Sequence, residues 1–166
     1  MGSLLTDDRV GYLTDGGLLQ LWARVMAELR EREVIRSSNN PVGDYCELVV
    51  AAHFGVKPIA GSNRDYDLIR DGDIRVQVKG RRVISKSPRI GHWSAMRGVD
   101  EHGFDEVVAV ALNEDFSLLG AWTVPWEAAK RLQKENKRLQ AHVRPYNKEF
   151  REDPDVSALE HSMDGP

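Results

Sequence analysis

The chain holds 166 residues, 41% of them hydrophobic, and carries a formal net charge of −3. That is enough for one domain of ordinary size with a real core, and it excludes a wholly disordered chain. No apolar run nears the ~20 residues that cross a bilayer, no basic leader precedes an apolar core, and the lone Cys46 excludes an internal disulfide or a cysteine-built zinc site. A single domain over residues 1–166, cytoplasmic and without membrane contact, is therefore expected.

Residues 1–16 are polar and turn-rich and read as a loose lead-in. Leu18, Leu21, Val25 and Leu29 then recur at helical spacing, with Trp22 and Met26 widening the stripe, and predict an amphipathic helix from Leu18 to Ile35. Ser37-Ser38-Asn39-Asn40-Pro41 stops it. A second helix is expected from Val42 to Phe54, closed by Gly55. It is apolar nearly all round, the composition of a buried helix, and it carries Glu47, a carboxylate that there needs a partner or a metal.

After a Gly61–Asn63 loop, Tyr66 to Ile69 and Ile74 to Arg82 read as two strands of a hairpin turning at Gly72. The second alternates: Ile74, Val76 and Val78 face one way, Arg75, Gln77, Lys79 and Arg81 the other. Residues 83–103 form a long loop with a helical turn near Ser94 to Arg97. Val107 to Leu112 is an unbroken apolar strand, as suits a position buried on both faces, and Ser117 to Val124 is its neighbour. Pro125 starts a helix from Trp126 to about Gln140, a short strand follows at His142 to Arg144, and the polar tail 147–166 is expected to be only partly ordered. The pattern is that of an α/β protein around a mixed sheet.

Charge is uneven along the chain. Residues 1–56 balance at −3, residues 57–97 at +6, and residues 98–166 at −6. A basic central third suggests a local anion-binding face, since phosphate affinity depends on the local field.

Glu47, Asp67, Gln77 and Lys79 stand out because apolar surroundings make each of them costly. Carboxylate or amide oxygens beside a lysine are what metal-assisted phosphodiester hydrolysis needs: the oxygens hold Mg²⁺, and the lysine orients water or stabilises developing negative charge. Tyr66-Asp67, a hairpin, and Val76-Gln77-Val78-Lys79-Gly80-Arg81, preceded by Glu47 in Gly43-Asp44-Tyr45-Cys46-Glu47, resemble the PD-(D/E)xK nuclease superfamily, the restriction-endonuclease-like fold. The similarity runs from about Pro41 to Trp126. It departs from the pattern where Tyr66 replaces proline and where Gln77 replaces an acid; the Gln-x-Lys variant is similar to that of Mrr-like enzymes.

The resemblance implies a restriction-endonuclease-like core with a four-stranded mixed β-sheet flanked by α-helices, and a Mg²⁺-dependent DNA endonuclease, with Mn²⁺ able to substitute, in restriction or phage defence. It implies metal ligation by Glu47, Asp67, Gln77 and the Val78 carbonyl, with Lys79 as the catalytic lysine. Arg81, Arg82, Lys86, Arg89 and Arg97 follow as candidate phosphate contacts to DNA. With no room for a separate recognition domain, a homodimer or a partner specificity subunit is expected. The alternatives are a non-cleaving nucleic-acid-binding or scaffold subunit, which Gln77 favours, and a resolvase of branched DNA. Restoring the charge by Gln77→Glu is expected to tighten divalent metal binding. His53, His92 and His102 form no ligand-spaced set, Trp93 reads as an anchored loop aromatic, and Cys46 reads as packing.

Register decides whether these residues can meet. A hairpin turning through Arg70-Asp71-Gly72, or any register of the same parity, places Asp67 on the side of Gln77; the opposite parity places it on the side of Val76 and Val78.

Overall fold

The computed structural model describes residues 10–59, 65–84, 92–93, 96, 99–136, 141–143 and 147–159. The chain divides into two compact units, Met1–Pro41 and Val42–Pro166. Among the described residues no helix is long and apolar enough to cross a membrane.

The first unit contains helix α1 (Asp15–Glu31). It begins ahead of the predicted Leu18 because Thr14 caps it: the Thr14 backbone is extended and its Oγ1 accepts the Gly17 N–H at 3.1 Å. It ends before the predicted Ile35 in a Schellman closure. The Val34 N–H reaches the Leu29 carbonyl at 2.9 Å, the Glu33 N–H reaches the Arg30 carbonyl at 3.0 Å, and Glu33 itself sits at φ 59°. Of the apolar stripe, Met26 is buried while Leu18, Trp22 and Val25 stay exposed.

In the second unit α2 spans Val42–Phe54, as expected, and closes the same way. Gly55 takes φ +66°, its N–H bonds the Ala52 carbonyl at 3.1 Å, and the Val56 N–H bonds the Ala51 carbonyl at 2.9 Å. The strands are β1 (Leu68–Arg70), β2 (Ile74–Arg82), β3 (Glu106–Leu112) and β4 (Leu118–Pro125), followed by α3 (Trp126–Leu132), β5 (Lys134–Asn136), β6 (Ala141–Val143), α4 (Lys148–Glu152) and β7 (Ser157–Ala158). The main sheet runs β1-β2-β3-β4-β7; β2 and β3 are parallel and the other neighbours antiparallel.

Three expectations are corrected here. The sheet has five strands, not four, because residues 147–159 of the tail pack on it: Phe150 is fully buried, Asn147 caps α4 by accepting the Phe150 N–H, and Leu159 N–H bonds the Ala121 carbonyl. The helix after Pro125 stops at Leu132 instead of Gln140, since Gln133 turns extended and the next residues pair as β5 with β6. The first strand of the hairpin starts at Leu68, not Tyr66. The Gly61–Asn63 loop lies outside the described residues, as do all of Ser94 to Arg97 except Met96.

Both faces of the sheet are covered. Leu68, Val76, Val78, Val108, Val110, Leu112 and Ala121 pack against Cys46, Val49, Val50 and Ala51 of α2. On the other face Val107 and Val124 meet Ala128, Ala129 and Leu132 of α3 and Phe150 of α4, while Trp93 packs on Ala109 and Ala111. β3 is buried along its whole length, which explains its unbroken apolar sequence.

Candidate functional site

The hairpin pairs Leu68 with Val76, Ile69 with Arg75 and Arg70 with Ile74. Its turn is Asp71-Gly72-Asp73, with Asp71 at φ 49° and Gly72 at φ 94°, and not the expected Arg70-Asp71-Gly72. Aspartate tolerates the left-handed region better than most residues, which lets the turn slide. Leu68 joins the core with Val76 and Val78, and Asp67 stands just before the first paired residue.

Asp67 is gripped by its backbone and by its carboxylate. Its N–H donates to the Val76 carbonyl at 2.8 Å, although Leu68 is the paired residue of Val76, so two residues face one as in a β-bulge. Its carbonyl accepts the Ile59 N–H at 2.9 Å. Its Oδ2 accepts the Val78 N–H at 2.7 Å, continuing the ladder beyond β1 with a side chain in place of a strand. The carboxylate therefore lies at the edge of β2, against the residue between Gln77 and Lys79.

Gln77 is only 3% exposed, one of two buried polar or charged residues, with Glu106, among the described residues. It projects from the face opposite Val76 and Val78, so it does not point into solvent. Its Nε2 donates to the Asp65 carbonyl at 3.1 Å, and its Oε1 has no hydrogen-bond partner among the described residues. A buried amide oxygen left without a donor costs free energy and is an acceptor available to a cation. Lys79, half-buried, rises from the same face two residues on. Glu47 comes from a different element. It is on α2, beside Cys46, and α2 covers the Val76–Val78 face. Asp67, at the strand edge, brings its carboxylate to the Val78 N–H, between Gln77 and Lys79.

Among the described residues no group of three His, Cys, Asp or Glu side chains could hold a metal ion. The expected donor set contains only two carboxylates, completed by an amide and a peptide carbonyl. The orphaned Gln77 Oε1 and the nearby Asp67 carboxylate fit a hard, oxygen-seeking cation such as Mg²⁺.

The basic central third is less free than its charge balance suggests. Arg70 forms a two-point bond with the buried Glu106, Nε to Oε1 at 2.6 Å and Nη2 to Oε2 at 2.9 Å, and its guanidinium lies over Phe54. Arg75 grips Asp105 at 2.8 and 2.9 Å, and its N–H bonds the same carboxylate. Hydrogen bonding from Arg75 holds the Asp105 carboxyl down at about 2. Both acidic partners come from the acidic last third, so charges remote in sequence cancel in space. Arg81 Nη1 donates to the His92 carbonyl at 2.6 Å, and Arg82 stacks over Phe116. Lys86, Arg89 and Arg97 lie outside the described residues.

Two groups near the site had no distinct sequence signal. Asp65 receives the Gln77 amide on its backbone, and its Cβ packs so closely on Gly103 that a Cβ there would stand 2.7 Å away. His102, at φ 51°, stacks on Trp126 at 4.0 Å with rings 15° apart. Both contacts join positions far apart in the chain.

The fold and site thus define an α/β protein with a five-stranded mixed sheet flanked by helices, with the Asp67 carboxylate at the edge of β2. The chain matches no family model and no curated protein.

Proposed function

We propose that this protein is a Mg²⁺-dependent DNA endonuclease with a restriction-endonuclease-like core. The observation that carries the reading is the Asp67 carboxylate seated on the Val78 N–H, between Gln77 and Lys79, together with a buried Gln77 Oε1 that has no hydrogen-bond partner among the described residues. Asp67, Gln77 Oε1 and the Val78 carbonyl would hold the ion, with Glu47 the candidate to add charge. Bound there, Mg²⁺ supplies charge neutralisation at the phosphate and a more acidic water. The chain's own part is positioning: Asp67 is locked by three hydrogen bonds, and the Lys79 ammonium supplies positive charge to the attacking water or the phosphate oxygens.

The test is nicking of supercoiled plasmid and of branched DNA in Mg²⁺ or Mn²⁺. Cleavage that needs the metal and falls at least about a hundredfold in Lys79→Ala, with the fold retained, is the expected result. A second reading, a non-cleaving nucleic-acid-binding or scaffold subunit, is favoured by Gln77 being uncharged and already bonded to Asp65. DNA binding without cleavage across both metals and both substrates would establish it over the first.

A further inference from the structure

We infer that position 77 requires an amide, because one side chain there does two opposite jobs: its Nε2 holds the segment that aims Asp67, while its Oε1 stays an acceptor. The inference rests on the site reading above for the Oε1 job alone; the Nε2 job stands on hydrogen bonds within the chain. Gln77 Nε2 donates to the Asp65 carbonyl at 3.1 Å. Two residues on, Asp67 makes its bonds to Val76, Ile59 and Val78. From the other side Gly103 backs Asp65, where any Cβ would come within 2.7 Å of the Asp65 Cβ and 2.9 Å of its Cγ. The segment entering β1 is therefore clamped between Gln77 and Gly103, and Asp67 inherits its place from that clamp.

A carboxylate cannot do this. It is almost the same shape, but it has no N–H to give, so the Asp65 carbonyl would lose its donor and face a like partial charge. It would also place a full negative charge at a position 3% exposed. Gln77 is on this account a positioning residue fitted to its surroundings, and not an acid that has lost its charge. The expectation that Gln77→Glu simply improves metal binding is thereby reversed: metal affinity is expected to stay level or fall.

Hydrogen exchange on the metal-free protein tests this without reference to cleavage. In Gln77→Met, which keeps length but has no donor, and in Gln77→Glu, exchange at the Asp67 and Val78 amides should quicken by about tenfold or more. The Val108 and Val110 amides of β3 should not follow. Uniform quickening across the sheet would mean that Gln77 is only part of general stability, and would overturn the clamp. Unchanged protection at Asp67 and Val78 would overturn it as well. Should either variant fail to fold, Gly103→Ala presses the same segment from the opposite side and should give the same local pattern. Calorimetry with Mg²⁺ then separates the two jobs: tighter binding in Gln77→Glu, with Asp67 and Val78 still protected, overturns the inference while leaving the nuclease reading intact. Local loosening in a protein that never cleaves DNA upholds the clamp while the nuclease reading fails.

Discussion

Gly80 shows how one missing methyl group sets the distance between helix and sheet. A Cβ at that position would stand 2.5 Å from Cys46 Sγ, 3.0 Å from its Cβ and 3.1 Å from the Val42 carbonyl. The backbone oxygen cannot step aside, so Gly80→Ala should lower stability by about 1–3 kcal/mol, read from urea unfolding. Adding Cys46→Ala removes the sulfur but not the carbonyl, and should recover only part of the loss. Full recovery would mean that the sulfur alone sets the spacing. Asp105 offers a pH readout at the same scale. Its folded value, about 2, lies below the ordinary ~3.9 of an unfolded aspartate. Its contribution is therefore fully present above pH ~4 and is lost as pH falls toward 2. The side chain is 37% exposed, so solvent screens the effect. The urea midpoint should fall between pH 4 and 2 in the native protein, and less steeply in Asp105→Asn; equal slopes would remove Arg75–Asp105 as a cause.

Helices α1 and α2 end in the same hydrogen-bonded closure, yet with different residues at the left-handed position: Glu33 at φ 59° and Gly55 at φ 66°. Glycine takes that conformation freely, whereas a residue with a Cβ is strained. Glu33→Gly should thus stabilise by about 0.5 kcal/mol, after the extra freedom glycine gains in the unfolded chain is subtracted. Gly55→Ala should destabilise by about 1 kcal/mol. Thermal melts of the two variants should move in opposite directions, and parallel shifts would contradict the closure. The legibility of these ends differs for the same reason. Gly55 announces its stop in the sequence. Glu33 does not, so the predicted helix ran on to Ile35.

At the scale of the whole chain, the division between the two units falls after Pro41, just beyond the Ser37–Asn40 stretch, whose Ser38, Asn39 and Asn40 are exposed. Exposed polar backbone of that kind is where proteases cut first. Limited proteolysis should cleave between Arg36 and Val42 before it cuts within β3, checked by mass spectrometry. Early cuts within 106–112 would contradict the fully buried β3. Charge must also be judged at this scale. The +6 balance of residues 57–97 is a property of the chain, but Glu106 and Asp105 meet Arg70 and Arg75 in space and reduce the field available to a phosphate.

What sequence determined by itself were the features governed by neighbours in the chain. Apolar periodicity and Gly55 marked α2 to the residue, alternation marked β2, and an unbroken apolar run marked β3. The face shared by Gln77 and Lys79 follows from a period of two. Tertiary structure alone decided what depends on remote partners. The tail gained a strand because Phe150 and Leu159 found the sheet. Asp67 became an edge carboxylate because the Val78 N–H, beyond the end of β1, needed an acceptor. Gln77 was a weak ligand on paper and a clamp in space, since the Asp65 carbonyl it holds carries no mark in the sequence. A backbone group is the same at every residue, so only the fold can say which one needs a partner.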